Sequence, residues 1–216
     1  MKPKKKSITT LAFAVIITII STIAACATTP KIENTDFTAI LQGNAQFFYV
    51  SEGTAEPKSI NDVPSLFDPY DDYMKIWSFA VLDLDGDGNT EVILTVFGTA
   101  GDMGGCLILH QINDDFYSYT ADYRTLMNLK TDATFSYSDP TGAIETGTCA
   151  ITAFTETGYT IDKITYAHGA DGEWDTFVVN HQSATEEEYQ TSETKQAEKA
   201  DTTWHDFTAE NIKSEL

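Results

Sequence analysis

The stretch FAVLDLDGDGNTEVILTV, from Phe79 to Val96, places four acidic residues within nine positions between two runs of strand-forming residues. The flanking runs are rich in β-branched and apolar side chains, and glycine and aspartate dominate the segment that joins them. This pattern predicts two strands connected by an acidic turn.

The spacing of oxygen ligands in this turn predicts a calcium site. Counted from Asp83 as position 1, carboxylates stand at positions 3 (Asp85), 5 (Asp87) and 9 (Glu91), and Asn89 at position 7 can offer its backbone carbonyl. A glycine at position 6 permits the sharp bend that points successive oxygens at one cation. Ca²⁺ takes six to eight oxygen ligands, which these five residues and water would supply.

Two other interpretations of the loop remain open, a metal-free hairpin turn and a catalytic carboxylate cluster. Aspartate and glycine are favoured in hairpin turns in any case. Crowded carboxylates, however, repel one another unless a cation is close, and no lysine or arginine lies between Lys75 and Arg124.

The remainder of the chain predicts an α+β fold, an antiparallel β-meander with an N-terminal helix and C-terminal helices packed on one face or end. A helix of about two turns is expected after Asp36, its N-cap, in a segment whose apolar residues are Phe37, Ile40, Leu41, Phe47 and Phe48. Residues 51–72 are expected to form a loop with a helical turn near Ser65. Ser183 and Glu186 resemble a capping box that begins the first C-terminal helix.

The N-terminal residues predict export and lipid anchoring. MKPKKK is a basic segment, and the apolar run from Leu11 to Ala25 is too short to span a bilayer but fits a secretory signal. The segment IAAC, ending at Cys26, resembles the bacterial lipobox, which implies cleavage before Cys26 and its diacylation. The expected organisation is a signal peptide at 1–25, a lipidated cysteine and polar tether at 26–35, and one domain at 36–216.

The charge of the mature chain excludes one class of partner. Removal of residues 1–25 takes four lysines and no acidic residue, which leaves 9 basic against 33 acidic side chains, a formal charge of −24. Such a charge repels nucleic acid and favours divalent cations. The expected contacts are the membrane, through the lipid on Cys26, and an extracellular protein or glycan.

Cys106 and Cys149 are the cysteines that remain once Cys26 is assigned to lipid. An even pair in an exported protein predicts a disulfide, and two buried free thiols are the alternative. A nucleophilic role is disfavoured because no histidine partner is evident.

No pattern in the sequence predicts a catalytic residue. The four histidines lack metal-ligand spacing, and the chain has no G-x-S-x-G motif and no assignable Ser/His/Asp order. The interpretation that follows is a binding module rather than an enzyme, with a secreted, calcium-stabilised hydrolase of cell-wall or other glycan as the alternative.

The loop resembles the D-x-D-x-D-G-x-x-[DE] loops of β-structured calcium proteins such as integrin-type propeller repeats. A standard EF-hand has a glutamate at position 12, where this chain has Leu94, and its flanks are helices. Taken with IAAC, ILQGNAQF and the C-terminal EEEYQ and WHDFTAENIKSEL, the chain is similar to uncharacterised surface lipoproteins, mostly of Gram-positive bacteria. That resemblance implies location and ion binding but no reaction.

Overall fold

The long apolar segments of the sequence form strands in two sheets that share one core. The computed structural model describes residues 36–68, 73–98, 101, 103–139, 144–170 and 173–216. The predicted signal peptide, the predicted lipidation site at Cys26 and the predicted tether lie outside these residues. From residue 36 onward the described chain belongs to one compact unit.

Helices and strands alternate irregularly along the described residues. The helices are α1 (Phe37–Leu41), α2 (Val63–Phe67), α3 (Glu186–Glu198) and α4 (Ala209–Glu215), with a 3₁₀ turn at Ile60–Asp62. The strands are β1 (Gln46–Ser51), β2 (Thr54–Ser59), β3 (Lys75–Leu82), β4 (Glu91–Phe97), β5 (Met103–Ile112), β6 (Asp115–Asp122), β7 (Thr134–Ser138), β8 (Glu145–Thr155), β9 (Gly158–Ala170), β10 (Glu173–Val179), β11 (Gln182–Ser183) and β12 (His205–Asp206).

The predicted α+β class is confirmed, and the strands divide between two sheets. The first sheet has the order β12-β3-β4-β5-β6-β1-β2 and the second the order β11-β10-β9-β8-β7. The pairs are antiparallel except that β1 lies parallel to β6. A simple meander would have no such pair, because it joins only neighbours in sequence.

Strand β4 lies at the centre of the first sheet and is covered on both faces. Alternate residues point to opposite sides of a strand, so Val92 and Leu94 enter one core and Ile93 enters the other. Both cores exclude water from these side chains, all of which are 0% exposed. Burial on two faces explains why EVILTVF reads as a continuous apolar run rather than an alternating one.

The helices cover the outer faces of the two sheets. Ile40 of α1, Val63 of α2 and Ile212 of α4 share a core with one face of the first sheet. Helix α3 instead contacts strands β8, β9 and β10 of the second sheet. Three short helices thus cover one side, and the long polar helix covers the other.

The N-terminal helix is shorter than the sequence predicts. Asp36 is its N-cap, as expected, and accepts a 2.7 Å hydrogen bond from the Ala39 amide. Helix α1 ends at Leu41, and Gly43 follows with a φ of +75°, which favours helix termination. Phe47 and Phe48 lie in β1, because they are buried in two different clusters and only a strand sends neighbouring side chains to opposite faces.

Two further local predictions differ in outcome. Helix α2 includes Ser65, so the helical turn expected there is confirmed, although β2 occupies part of the expected loop. Helix α3 begins two residues later than predicted. Its N-cap is Thr185 and its capping box pairs Thr185 with Glu188, whereas Ser183 lies in β11.

The disulfide predicted between Cys106 and Cys149 is not formed in the structure. Both residues are free thiols with 1% of their surface exposed, Cys106 on β5 and Cys149 on β8. They belong to the core between the two sheets, and burial raises the pKa of each thiol to about 12. They are therefore protonated at neutral pH and pack as small apolar side chains.

Among the described residues, no helix has the length and apolar content needed to cross a membrane.

Candidate functional site

The acidic loop connects two paired strands at the centre of the first sheet. Strands β3 and β4 pair antiparallel as far as Leu82 and Glu91, so residues 83–90 form the connection. Leu84 is 1% exposed and belongs to the core between the sheets. One apolar side chain within a polar loop therefore fixes the start of the connection to the protein interior.

The first aspartate organises the backbone of the loop. Asp83 accepts hydrogen bonds from the Gly86 amide at 2.7 Å and from the Gly88 amide at 3.0 Å, one at each carboxylate oxygen. Both glycines have a positive φ, +77° and +91°, which a residue with a Cβ adopts at a cost. The glycines of the motif thus permit the tight curl that surrounds the Asp83 carboxylate.

Three of the predicted ligands come together and can hold a metal ion. One oxygen from each of Asp83, Asp85 and Glu91 lies within 4.8 Å of the others. Two oxygens bound to one Ca²⁺ at 2.3–2.6 Å can be no more than about 5 Å apart, so this spacing fits a shared cation. Asp83 and Asp85 are partly exposed and Glu91 is buried, so the group faces solvent on one side only.

Glu91 is the most constrained member of the cluster. Its side chain is 0% exposed, and its Oε2 accepts a 2.7 Å hydrogen bond from the Leu84 amide. Its Oε1 lies 2.7 Å from Nδ1 of His110, which donates when Glu91 is ionised because a carboxylate can only accept. Each oxygen keeps a second lone pair for a cation.

Burial raises the pKa of Glu91, and the nearby charge of Asp85 acts in the same direction. The hydrogen bonds from His110 and Leu84 oppose that shift but do not cancel it. A cation beside the cluster would favour the ionised form for the same electrostatic reason that Asp85 disfavours it.

Asp87 and Asn89, the other two predicted ligands, pair with each other at the exposed tip of the loop. The Asn89 amide N–H donates to Asp87 Oδ1 at 2.7 Å and the Asn89 side chain donates to Oδ2 at 3.0 Å. These hydrogen bonds lower the pKa of Asp87. Asp87 is outside the close group of carboxylates, so the structure brings together three of the four predicted carboxylate ligands.

His110 is the residue of this site that the sequence does not indicate. Val92 of β4 pairs with Leu109 of β5. Because the two strands are antiparallel, Glu91, one residue before Val92, stands opposite His110, one residue after Leu109. Its ring stacks on Phe154 of the second sheet, with ring centroids 4.5 Å apart. The pairing register would have identified His110, but the glycine-rich segment 98–105 hides in the sequence where β5 begins, and with it the register.

A separate groove of about 820 Å³ lies beside α3 on the second sheet. Its floor includes Thr148 on β8, Thr165 on β9 and Val179 on β10. Thr165 pairs with both of the others, so the three residues form one row across the sheet. The side chains of α3 form one wall, and the β10–β11 hairpin forms the other. Most of the lining residues carry a hydroxyl, amide or charged group, and polar and apolar atoms contribute about equally to the lining surface.

Comparison of the chain with protein-family models, with curated proteins and with solved structures finds no match in any of the three.

Proposed function

We propose that this chain is a membrane-anchored extracellular lipoprotein that acts as a binding module and carries one structural calcium ion. The observation that carries the calcium assignment is the convergence of Asp83, Asp85 and Glu91 within 4.8 Å. The anchor on Cys26 and the extracellular location rest on the sequence alone.

The donor chemistry supports a hard cation such as calcium over zinc or copper. The cluster offers only carboxylate oxygens, which suit Mg²⁺, Ca²⁺ and Mn²⁺, and it includes no cysteine thiolate. The His110 Nδ1 is engaged with Glu91 rather than directed at the cluster as a ligand. Ca²⁺ is favoured over Mg²⁺ because a curled loop with partly exposed ligands accommodates a large and variable coordination shell.

A structural role follows from what the loop connects. Glu91 is the first residue of β4, the strand that both cores bury, and Leu84 ties the other end of the loop to the interior. A bound cation would neutralise the mutual repulsion of carboxylates that the fold itself holds together. The ion would therefore stabilise the central hairpin rather than act on a substrate.

The hydrolase alternative receives no support from the groove beside α3. A glycosidase needs two carboxyl groups that flank a substrate, about 5–10 Å apart. The carboxylates that line this groove, Glu187 and Glu188, are sequential residues in the exposed first turn of one helix. Glu188 is also engaged as the capping-box partner of Thr185. An open, polar groove fits a binding role.

Direct titration tests the calcium assignment. Isothermal titration of the detergent-solubilised full chain with Ca²⁺ should show one site, and Asp85→Asn should abolish it. Mass spectrometry of the chain produced in a bacterial host should show a diacylglyceryl adduct that Cys26→Ser removes. An unmodified Cys26, or a calcium isotherm unchanged by Asp85→Asn, would each overturn the corresponding part of the proposal.

A further inference from the structure

The groove beside α3 is polar where a helix packed on a sheet would ordinarily be apolar. The side chains of α3 that contact the sheet include Tyr189, Glu193 and Gln196, and all three form hydrogen bonds with it. Thr148 donates a 3.0 Å hydrogen bond to Glu193 across the interface. Burying polar groups costs free energy unless each finds a partner, and these three do, so the lining groups without a partner are the ones available to a ligand.

Thr165 is the member of the floor without a partner. Its residue surface is 3% exposed, it lines the groove, and its hydroxyl forms no hydrogen bond with the described residues. It stands between Thr148 and Val179 in the row across three strands. A valine there would fill the same volume without an unpaired hydroxyl, so Thr165 offers a hydrogen bond that a ligand can complete.

The α3 wall carries opposite charges near its two ends. Glu187 and Lys195 both line the groove, and neither forms an ion pair with the described residues. They are eight positions apart, about 12 Å along the helix axis at 1.5 Å per residue. Lys199 lies one turn further along the same wall. Lys199 is paired with Asp132 at 2.8 Å, so Lys195 is the lining's basic side chain without an ion pair to the described residues.

We propose that this groove binds a short peptide with free termini, its amino group near Glu187 and its carboxylate near Lys195. An extended chain advances about 3.3–3.6 Å per residue, so four residues span the distance between the two charges. Thr165 and the neighbouring amide and hydroxyl side chains would pair with the peptide backbone. The inference rests on the proposed role as a binding module, and it does not depend on the calcium loop.

A glycan is the weaker candidate for the same groove. Sugar rings are commonly bound by stacking on aromatic side chains, and the residues that line this groove include no aromatic ring. A neutral glycan would also leave the charges of Glu187 and Lys195 without a role. Both charges are explained together by a ligand that carries one charge at each end.

The test is equilibrium dialysis of the full chain, in detergent and calcium, against a pool of tetrapeptides randomised at the two central positions. Mass spectrometry measures enrichment of the pool with free termini, of the same pool N-acetylated, and of the same pool C-amidated. Lys195→Gln is compared with Lys213→Gln, which removes the same charge from an exposed position on α4. Thr165→Val tests the floor, and cellotetraose serves as the glycan probe.

Enrichment of the free-termini pool is expected, and blocking either terminus should reduce it. Lys195→Gln should weaken binding of the free-carboxylate pool about two- to fivefold, the usual factor for an exposed ion pair, and leave the C-amidated pool unchanged. Thr165→Val should weaken all pools about fivefold while the melting temperature stays the same. Lys213→Gln should change nothing.

Two results would overturn the inference, and they separate it from the wider proposal. Enrichment of cellotetraose alone would keep a binding module but exclude a peptide groove. Peptide binding that ignores both Lys195→Gln and Thr165→Val would place the site elsewhere on the chain. Enrichment of no probe at all would refute the binding-module role together with the groove.

Discussion

Replacement of Asp85 by asparagine is expected to remove the response of this protein to calcium while leaving the metal-free fold intact. Asp85 is one of three carboxylates that converge within 4.8 Å, and its Oδ1 accepts a hydrogen bond from the Asp87 amide at 3.2 Å. Asparagine keeps that acceptor and removes the charge. The substitution therefore separates metal binding from loop geometry, which a change to alanine would not do.

The size of the effect follows from linkage and from Coulomb's law. At a calcium concentration tenfold above a millimolar dissociation constant, binding to the folded state alone adds about 1.4 kcal/mol. For a domain of this size that corresponds to a rise of about 3–6 °C in melting temperature. Without calcium, two unit charges about 4.8 Å apart in water repel by about 0.9 kcal/mol. In chelator, the melting temperature of the Asp85→Asn chain should therefore equal or exceed that of the unsubstituted chain.

The assay is thermal unfolding of the full chain in detergent, followed by tryptophan fluorescence in chelator and in calcium at constant ionic strength. Asp175→Asn is the matched control, because Asp175 is exposed and lies outside the loop. The unsubstituted chain and the control should show the calcium-induced rise, and Asp85→Asn should not. An equal rise in all three proteins would mean that calcium only screens the net negative charge, and our reasoning about the site would be refuted.

Three further predictions concern the second sheet and the shared core. Burial raises the pKa of Glu193, so ionisation opposes folding; the penalty is absent below the unfolded pKa and grows as pH rises through the folded pKa. Glu193→Gln keeps an oxygen that accepts the hydrogen bond from Thr148, and it should raise the free energy of unfolding by about 0.5–1 kcal/mol at pH 7, measured with urea. If this increase were as large at pH 4, ionisation of Glu193 would not be its cause. Lys130 is 4% exposed and donates to two backbone carbonyls at the end of α3 and to the Asp201 carboxylate. Lys130→Met should therefore lower the free energy of unfolding by about 2–3 kcal/mol. A loss below about 0.5 kcal/mol, the usual limit for surface changes, would show that these hydrogen bonds do not hold the end of α3. With pKa values near 12 and little exposure, Cys106 and Cys149 should not react with a thiol reagent in the native chain, and both should react in denaturant. If no thiol reacted in denaturant, the two cysteines would be joined in a disulfide after all.

Several predictions that depend on near neighbours in the chain are confirmed, although the capping box expected at Ser183 lies two residues further on, at Thr185. The turn between β3 and β4, the N-cap at Asp36 and the helical turn near Ser65 are each specified within a few residues. Glycine, aspartate and β-branched side chains act on their own backbone, so their effect is visible without knowledge of the fold. The convergence of Asp83 and Asp85 belongs to the same class, because two positions separate them.

Predictions that require a distant partner failed or could not be made. Phe47 and Phe48 continue an apolar pattern that suits a helix, and β1 is a strand because β6 pairs with it and two cores receive the two rings. Cys106 and Cys149 are on different sheets of a shared core, and their spacing in the chain carries no information about sulfur geometry.

The sequence by itself determined the acidic loop, its likeness to calcium-binding loops and the strong net negative charge, because spacing and composition can be read without the fold. Tertiary structure alone decided that Glu91 is buried between Leu84 and His110, that the strands divide into two sheets, and that α3 forms one wall of an open groove. Each of those facts depends on strand register and sheet order, which bring together residues far apart in the chain. A carboxylate's neighbours in space, rather than in sequence, set its burial and its pKa.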